Sequence, residues 1–264
     1  MSQRDVCFIT GASTGFGSAF ARRLALEGYA VGLAARRGEL LEVVAGEIRD
    51  AGGQAGVYPC DVSDREQVLE AERRCEEELG PVDLLIANAG ISRNTLVDPF
   101  DVDWIERVIR TNLFGAIYAT EGVLPGMLQR GRGRIAAISS LAGFQGLPMS
   151  AAYSASKAAM TNFFESLRID LRGTGVHVTV IAPGFVKTPL TGHNRHPMPF
   201  LMELDPAVEK MTRAILKKKK SLAFPWPLAA AALAARNLPR PVFDLFVSKL
   251  RRGKSPEAGG PAES

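Results

Sequence analysis

Val6-Cys7-Phe8-Ile9-Thr10-Gly11-Ala12-Ser13-Thr14-Gly15-Phe16-Gly17 is the stretch on which the fold of this chain turns. A short apolar run of strand type passes at Thr10 into a glycine-rich turn, and then into a segment, 19–26, whose apolar residues recur at helical spacing. Glycines at 11, 15 and 17 let the backbone bend tightly and let a pyrophosphate approach the amides. The helix that follows presents its N-terminus, the positive end of its dipole, to those phosphates. The spacing is Gly-x-x-x-Gly-x-Gly rather than the common Gly-x-Gly-x-x-Gly. A glycine-rich turn alone is often only a turn. Placed between a strand and a helix at the head of an alternating chain, this one points to a dinucleotide.

Outward from this turn the alternation continues. Apolar, strand-like runs at 30–35, 55–60 and 84–87 are separated by helix-like segments at 39–51 and 65–79, with charge on their outward faces. A helix near 104–127, a strand at 134–139, a helix over 151–171 and a strand at 176–182 follow. A helix at 206–216 and a short run at 221–224 complete the pattern. Strand–helix alternation with apolar strands predicts an α/β fold, a doubly wound parallel sheet with helices on both faces, in a single domain over 1–224. With 264 residues, 46% hydrophobic and 23% charged, the chain can bury a large core. No apolar run approaches the ~18 residues of a membrane span. The first residues lead directly into a strand, without room for a signal peptide, so a cytoplasmic location is expected. Cys7, Cys60 and Cys75 have neither metal-ligand nor redox spacing, and His177, His193 and His196 lack neighbouring ligands, so no metal is expected.

A second stretch carries the chemistry: Ser139-Ser140-Leu141-Ala142-Gly143-Phe144-Gln145-Gly146-Leu147-Pro148-Met149-Ser150-Ala151-Ala152-Tyr153-Ser154-Ala155-Ser156-Lys157. Tyr153 and Lys157 stand one helical turn apart and project from one face. Ser140 lies thirteen residues before the tyrosine, at a strand end. A phenol titrating near pH ~10 is a poor acid or base at neutrality. A neighbouring ammonium stabilises its phenolate and lowers that pKa, and a serine hydroxyl can hold a substrate oxygen. Such a trio can move a proton on or off an alcohol oxygen.

Taken in register, the chain from Val6 to about Thr188 resembles the short-chain dehydrogenase/reductase family of the ~250-residue type. The motifs that carry the resemblance are Thr10 to Gly17, Asp61-Val62, Asn88-Ala89-Gly90, Asn112, Ser140 with Tyr153 and Lys157, and Pro183-Gly184 leading to Thr188. The resemblance implies a Rossmann-like fold with a seven-stranded parallel sheet and a catalytic tetrad of Asn112, Ser140, Tyr153 and Lys157. In that family the tyrosine is the general acid in reduction and general base in oxidation. The lysine lowers its pKa and bonds the nicotinamide ribose, the serine holds the substrate oxygen, and the asparagine, within the long fourth helix, holds a water of the proton relay. The cofactor contacts implied are Gly11, Ser13, Thr14, Gly15, Phe16 and Gly17 of the turn, Asp61 and Val62 beside the adenine, and Asn88, Ala89 and Gly90 after the fourth strand. Tyr153, Lys157, Pro183, Gly184, Val186 and Thr188 complete them on the nicotinamide side. Asp61 has a second reading as a helix cap, although Ser63 and Asp64 are nearer.

Charge argues the cofactor. An acid after the second strand would bond the adenosine ribose hydroxyls and repel a 2′-phosphate, yet this chain has Arg36 and Arg37 there and no acid before Glu39. The planar guanidinium matches phosphate, so NADP(H) is preferred over NAD(H). Phe144, Leu147, Met149 and the segment 197–204 flank the catalytic region. Met198, Phe200, Leu201 and Met202 are expected either as an apolar lid, implying a lipophilic carbonyl or alcohol, or as core or subunit contacts.

From 217 onward ten Lys/Arg face three Asp/Glu, a net of +7 in a chain of net +4. Residues 225–252 read as a basic, apolar helical extension that packs on its own subunit or a neighbour, or rests on a membrane surface. Residues 253–264 read as a disordered tail. The basic residues cluster with apolar ones and form no nucleic-acid motif, so no nucleic-acid partner is expected. The resulting expectation is an oxidoreductase interconverting a carbonyl and a secondary alcohol, as a homodimer or homotetramer. The alternative is a non-catalytic dinucleotide-binding or membrane-surface interaction protein.

Overall fold

The computed structural model describes residues 4–192 and 197–248. The predicted 253–264 tail, His193 and His196 lie outside them. In chain order the elements are β1 (Val6–Thr10), α1 (Gly15–Leu26), β2 (Ala30–Ala35), α2 (Gly38–Asp50), β3 (Gln54–Pro59), α3 (Arg65–Leu79) and β4 (Val82–Ala87). Then come α4 (Val102–Ile109), α5 (Gly115–Arg130), β5 (Gly133–Ile138), α6 (Ala151–Asp170), β6 (Val176–Pro183) and the short α7 (Pro189–Gly192). The chain closes with α8 (Leu204–Leu216), β7 (Ser221–Phe224), α9 (Trp226–Arg236) and α10 (Arg240–Ser248).

All seven strands pair in parallel, in the order β3-β2-β1-β4-β5-β6-β7. The chain runs outward from β1 to β3, then returns to place β4 on the other side of β1. At that reversal the connections leave in opposite directions, which opens a crevice over the carboxyl ends of β1 and β4. The sheet is covered on both faces, so β1, β2 and β4 are buried along their whole length. This is why they read as unbroken apolar runs rather than as alternating ones. One core lies under α1, α2 and α8, around Phe20, Leu24, Leu41, Ile48, Met211 and Ile215. The other lies under α3, α5 and α6, around Val68, Cys75, Val123, Met127, Met160 and Phe164.

The helix expected over 104–127 is divided. Between α4 and α5 the residues Arg110–Phe114 form one π-helical turn, and Asn112 sits in it, wholly buried. Asp64 caps α3, accepting from the amides of Glu66 and Gln67. Asp61 instead closes its own turn, accepting from the Ser63 amide at 2.9 Å and hydroxyl at 2.7 Å.

The extension folds back on the domain. Leu228 and Ala229 of α9 pack with Leu141, Phe144, Ala182 and Ala223, and α10 buries Phe243 and Val247. Trp226, Leu233, Val242 and Leu245 remain exposed. Among the described residues no helix is long and apolar enough to cross a membrane.

Candidate active site

The turn after β1 is tightened against the end of β4. The Thr10 hydroxyl accepts the amides of Asn88 (3.0 Å) and Ala89 (3.2 Å), and the Asn88 amide group donates to the carbonyls of Thr10 (3.0 Å) and Gly11 (3.2 Å). Gly11 takes a left-handed φ of 67°, and a Cβ there would stand 2.8 Å from Ala89 Cα. Gly17 faces a harder limit, because its Cβ would fall 2.1 Å from the Gly11 carbonyl oxygen. The helix behind the turn is left open to an anion. Thr14, at the N-cap of α1, makes no capping bond, and the first turn holds no acid. Thr14 Oγ1 is buried without a partner.

Across the crevice, Ser140 stands two residues past β5 and caps a 3₁₀ turn, Leu141–Gly143, with its hydroxyl accepting from the Ala142 amide at 3.1 Å. That turn lies directly on α6: a Cβ on Gly143 would meet the Lys157 carbonyl carbon at 2.8 Å. Close approach of the two backbones brings the Ser140 hydroxyl within influence of the Tyr153 phenol, and both line the same cleft. Lys157 is only 4% exposed and donates to the Ile138 carbonyl at 2.8 Å, with its Nζ 5.8 Å from the Tyr153 ring centroid. Burial drives the Lys157 pKa down to about 8, and it pushes the Tyr153 phenol above its ordinary value while Ser140 pulls in the other direction. Both groups are desolvated, the ammonium is turned toward Ile138, and the partner acting on the phenol is Ser140.

Asn112 is tied into the same helix. Its Oδ1 accepts the Ile91 amide (2.8 Å), and its Nδ2 donates to the Ile91 carbonyl (3.1 Å) and to Ser156 Oγ (3.0 Å). Ser156 in turn donates to the Tyr153 carbonyl at 2.7 Å. A path of buried hydrogen bonds therefore runs from the loop after β4, through the π turn, to the backbone of Tyr153.

These elements enclose one cleft of about 700 Å³ counted with its open mouth. It is lined by thirteen of the expected residues: Gly11, Thr14, Gly15, Phe16, Asn88, Gly90, Ser140, Tyr153, Lys157, Pro183, Gly184, Val186 and Thr188. The others stand behind it or at its rim. Ser13 accepts from Arg37 at 3.2 Å, Arg36 is exposed, Val62 packs beneath Gly115, and Ala89 backs Gly11. Sequence reasoning missed Leu190, which lines the cleft from α7, and Ser139, which donates to the Lys157 carbonyl at 2.9 Å. It also missed Ser156, for which the available signal was a serine inside a helix, a position where the hydroxyl turns back onto a carbonyl. Of the expected lid, Met202 is half-buried and packs against the core, bridged to Val186 and bonded to Phe185 and Lys187, while Phe200 and Leu201 are exposed. None of Met198, Phe200, Leu201 and Met202 lines the cleft.

Residues 5–199 match the model of the family described as short chain dehydrogenase. The chain is a short-chain dehydrogenase/reductase. An uncharacterized oxidoreductase of Myxococcus xanthus is 44% identical over 95% of this chain and 99% of its own. A ketoacyl reductase of Nostoc sp. is 36% identical over 81% of this chain and 74% of its own. Among solved structures, an actinorhodin polyketide ketoreductase variant with NADPH superposes with a TM-score of 0.79 at 30% identity, covering 87% of this chain and 98% of that one. Short-chain dehydrogenases use a nicotinamide dinucleotide, and the crevice fits one. The orphaned Thr14 hydroxyl, the uncapped N-terminus of α1 and the positions where no Cβ can stand form a cradle for a pyrophosphate.

Proposed function

We propose that this enzyme reduces a ketone on a lipophilic small molecule to a secondary alcohol, with NADPH as the preferred reductant. The observation that carries the reading is the meeting of Ser140, Tyr153 and Lys157 at one end of a cleft whose other end is the glycine turn. When bound, the nicotinamide supplies the hydride. The Ser140 hydroxyl holds and polarises the carbonyl oxygen. Tyr153, a phenol and so protonated at neutral pH, delivers the proton to that oxygen. The Lys157 ammonium then offsets the charge left on the phenol and bonds the ribose. Asn112 fixes Tyr153 through Ser156, and its remaining acceptor capacity suits a relay water.

Ile138, Val186, Pro189 and Leu190 give the cleft apolar walls, which favour a lipophilic substrate. The names of the ketoacyl reductase relatives make 3-oxoacyl compounds reasonable first substrates. Arg37, held beside the turn by Ser13, and Arg36 at the end of β2 favour a 2′-phosphate where no carboxylate opposes it.

Fluorescence titration with NADPH and NADH tests the cofactor, comparing wild type with Arg36→Ala/Arg37→Ala. NADPH is expected to bind more tightly by about tenfold or more, which is about 1.4 kcal/mol, and the double variant to lose that margin. Equal affinities would refute the arginine clamp. NADPH consumption over a panel of alkyl ketones and 3-oxoacyl thioesters tests the reaction, with Tyr153→Phe inactive but still binding NADPH. Binding without turnover across the panel would favour a non-catalytic dinucleotide-binding protein.

A further inference from the structure

The helix that carries Tyr153 and Lys157 starts without a cap of its own. Ser150, at the N-cap of α6, makes no side-chain bond to the first turn. Met149, just before it, holds a left-handed φ of 58°, a conformation costly for a side chain other than glycine. Both sides of Ser150 are gripped from elsewhere. The Thr95 amide, in the loop after β4, donates to the Met149 carbonyl at 2.7 Å. The Thr95 hydroxyl accepts from the amide of Ala152, the second residue of the helix, at 3.2 Å. That is the bond an N-cap side chain normally supplies from within its own helix. We infer that Thr95 is the N-cap of α6, supplied by a distant loop, and that it sets the position of Tyr153 against the substrate oxygen. The inference rests on the reading of Tyr153 as proton donor.

The loop is itself well anchored. Ile91 at its start is clamped by both ends of the Asn112 amide. Two residues on, the Arg93 guanidinium lies 4.3 Å over the Trp104 ring and pairs with Asp101, the cap of α4. Ile91, Trp104, Val108 and Ala152 form a small core of their own. The residue whose amide Thr95 receives therefore packs its side chain on the same anchored patch, and Tyr153 is the next residue. Thr95 does not line the cleft, so it acts through α6 as a positioning residue. A proton donor displaced by a fraction of an ångström loses its alignment with the carbonyl, and rates are sensitive to such shifts.

Thr95→Val keeps the shape of the side chain and removes the acceptor, whereas Thr95→Ser keeps the acceptor. Hydrogen exchange at the Ala152 amide is read first, since it needs no substrate. Exchange is expected to be about five- to tenfold faster in Thr95→Val and unchanged in Thr95→Ser. With a ketone that the wild type reduces, Thr95→Val is expected to lower kcat about tenfold, with KM and NADPH affinity within about twofold, and Thr95→Ser to restore kcat. Wild-type exchange in Thr95→Val, or equal damage in both variants, overturns the inference. Should the wild type reduce no ketone, the reductase reading falls, while the exchange result still decides whether Thr95 caps the helix.

Discussion

Replacing Lys157 by Met removes the one ammonium buried beside Tyr153 and gives a prediction with a definite sign. In the folded protein burial lowers this lysine from its ordinary 10.5 to about 8, so between those values the unfolded chain holds a proton that the folded one has released. Stability therefore rises with pH across that window, by up to 1.36 kcal/mol per pH unit, or about 3 kcal/mol in all. The contribution is fully present above the unfolded value and is lost as pH falls through the folded one. Lys157→Met lacks the titration, while its lost bond to Ile138 and altered packing shift its stability by an amount that does not vary with pH. The difference in unfolding free energy, wild type minus variant, should be flat below pH ~8 and climb by about 3 kcal/mol toward pH ~10.5. Urea unfolding followed by the fluorescence of Trp104, which is buried, measures it at several pH values. Tyr153 titrates in both proteins and cancels to first order. Parallel stability curves for the two proteins would refute the claim that Lys157 is an ionisable group held in a desolvated site.

Gly17→Ala would set a Cβ 2.1 Å from one backbone atom and 2.8 Å from another, so the turn must open; NADPH affinity by fluorescence titration should fall about 10- to 100-fold, and wild-type affinity would show that the turn is no phosphate cradle. Glu72 lies buried between α3 and α5 with neither carboxylate oxygen partnered, and burial, then Glu76 and Glu121, raises its pKa well above the ordinary range. Its folded form holds its proton longer than the unfolded chain does, so wild-type stability drains away as pH rises above the ordinary carboxylate value. Glu72→Gln should escape this, with a Tm advantage that widens by roughly 3 °C between pH ~5 and pH ~8; a constant difference in thermal scans would count against it. Leu228→Ala loosens α9 behind Gly184 and Leu141, and is expected to change the kcat/KM for the ketone about tenfold while NADPH affinity stays within about twofold. Unchanged kcat/KM would make the extension irrelevant to the site.

Much of the fold was legible for a simple reason. Strands buried on both faces leave unbroken apolar runs, and β1, β2 and β7 begin and end on the expected residues. Where the edges carry mixed residues, as at Gln54 and Val82, the expected bounds fall one or two residues short. The crevice was legible too, because glycines that tolerate no Cβ and a Tyr–Lys pair on one helix face are local patterns. What escaped were arrangements that exist only once distant segments meet. The π turn at Arg110–Phe114 depends on Asn112 reaching Ile91 and Ser156, 21 and 44 residues away. The lid stayed open between two readings because apolar residues beside a site look the same whether they face substrate, solvent or core; a parallel bridge to Val186 ties Met202 to the chain behind it. The tail was ambiguous for the same reason: Ala229 of α9 packs against Leu141 and Ala182, while Trp226 and Leu233 of the same helix stay exposed.

The π turn has a bearing on how chain length is allowed to drift. One π turn inside an α-helical rod amounts to a single residue more than the rod needs, absorbed locally so that the faces on either side keep their alignment. Removing one residue from 110–114 would leave a regular helix from Val102 to Arg130, still presenting Ala119, Val123 and Met127 to the sheet. Asn112, however, would no longer bulge toward Ile91 and Ser156. Such a deletion spares the scaffold and disconnects Tyr153. The cost falls on the Ile91 and Ser156 bonds rather than on the rod itself, so this single surplus residue is what couples the scaffold to the site.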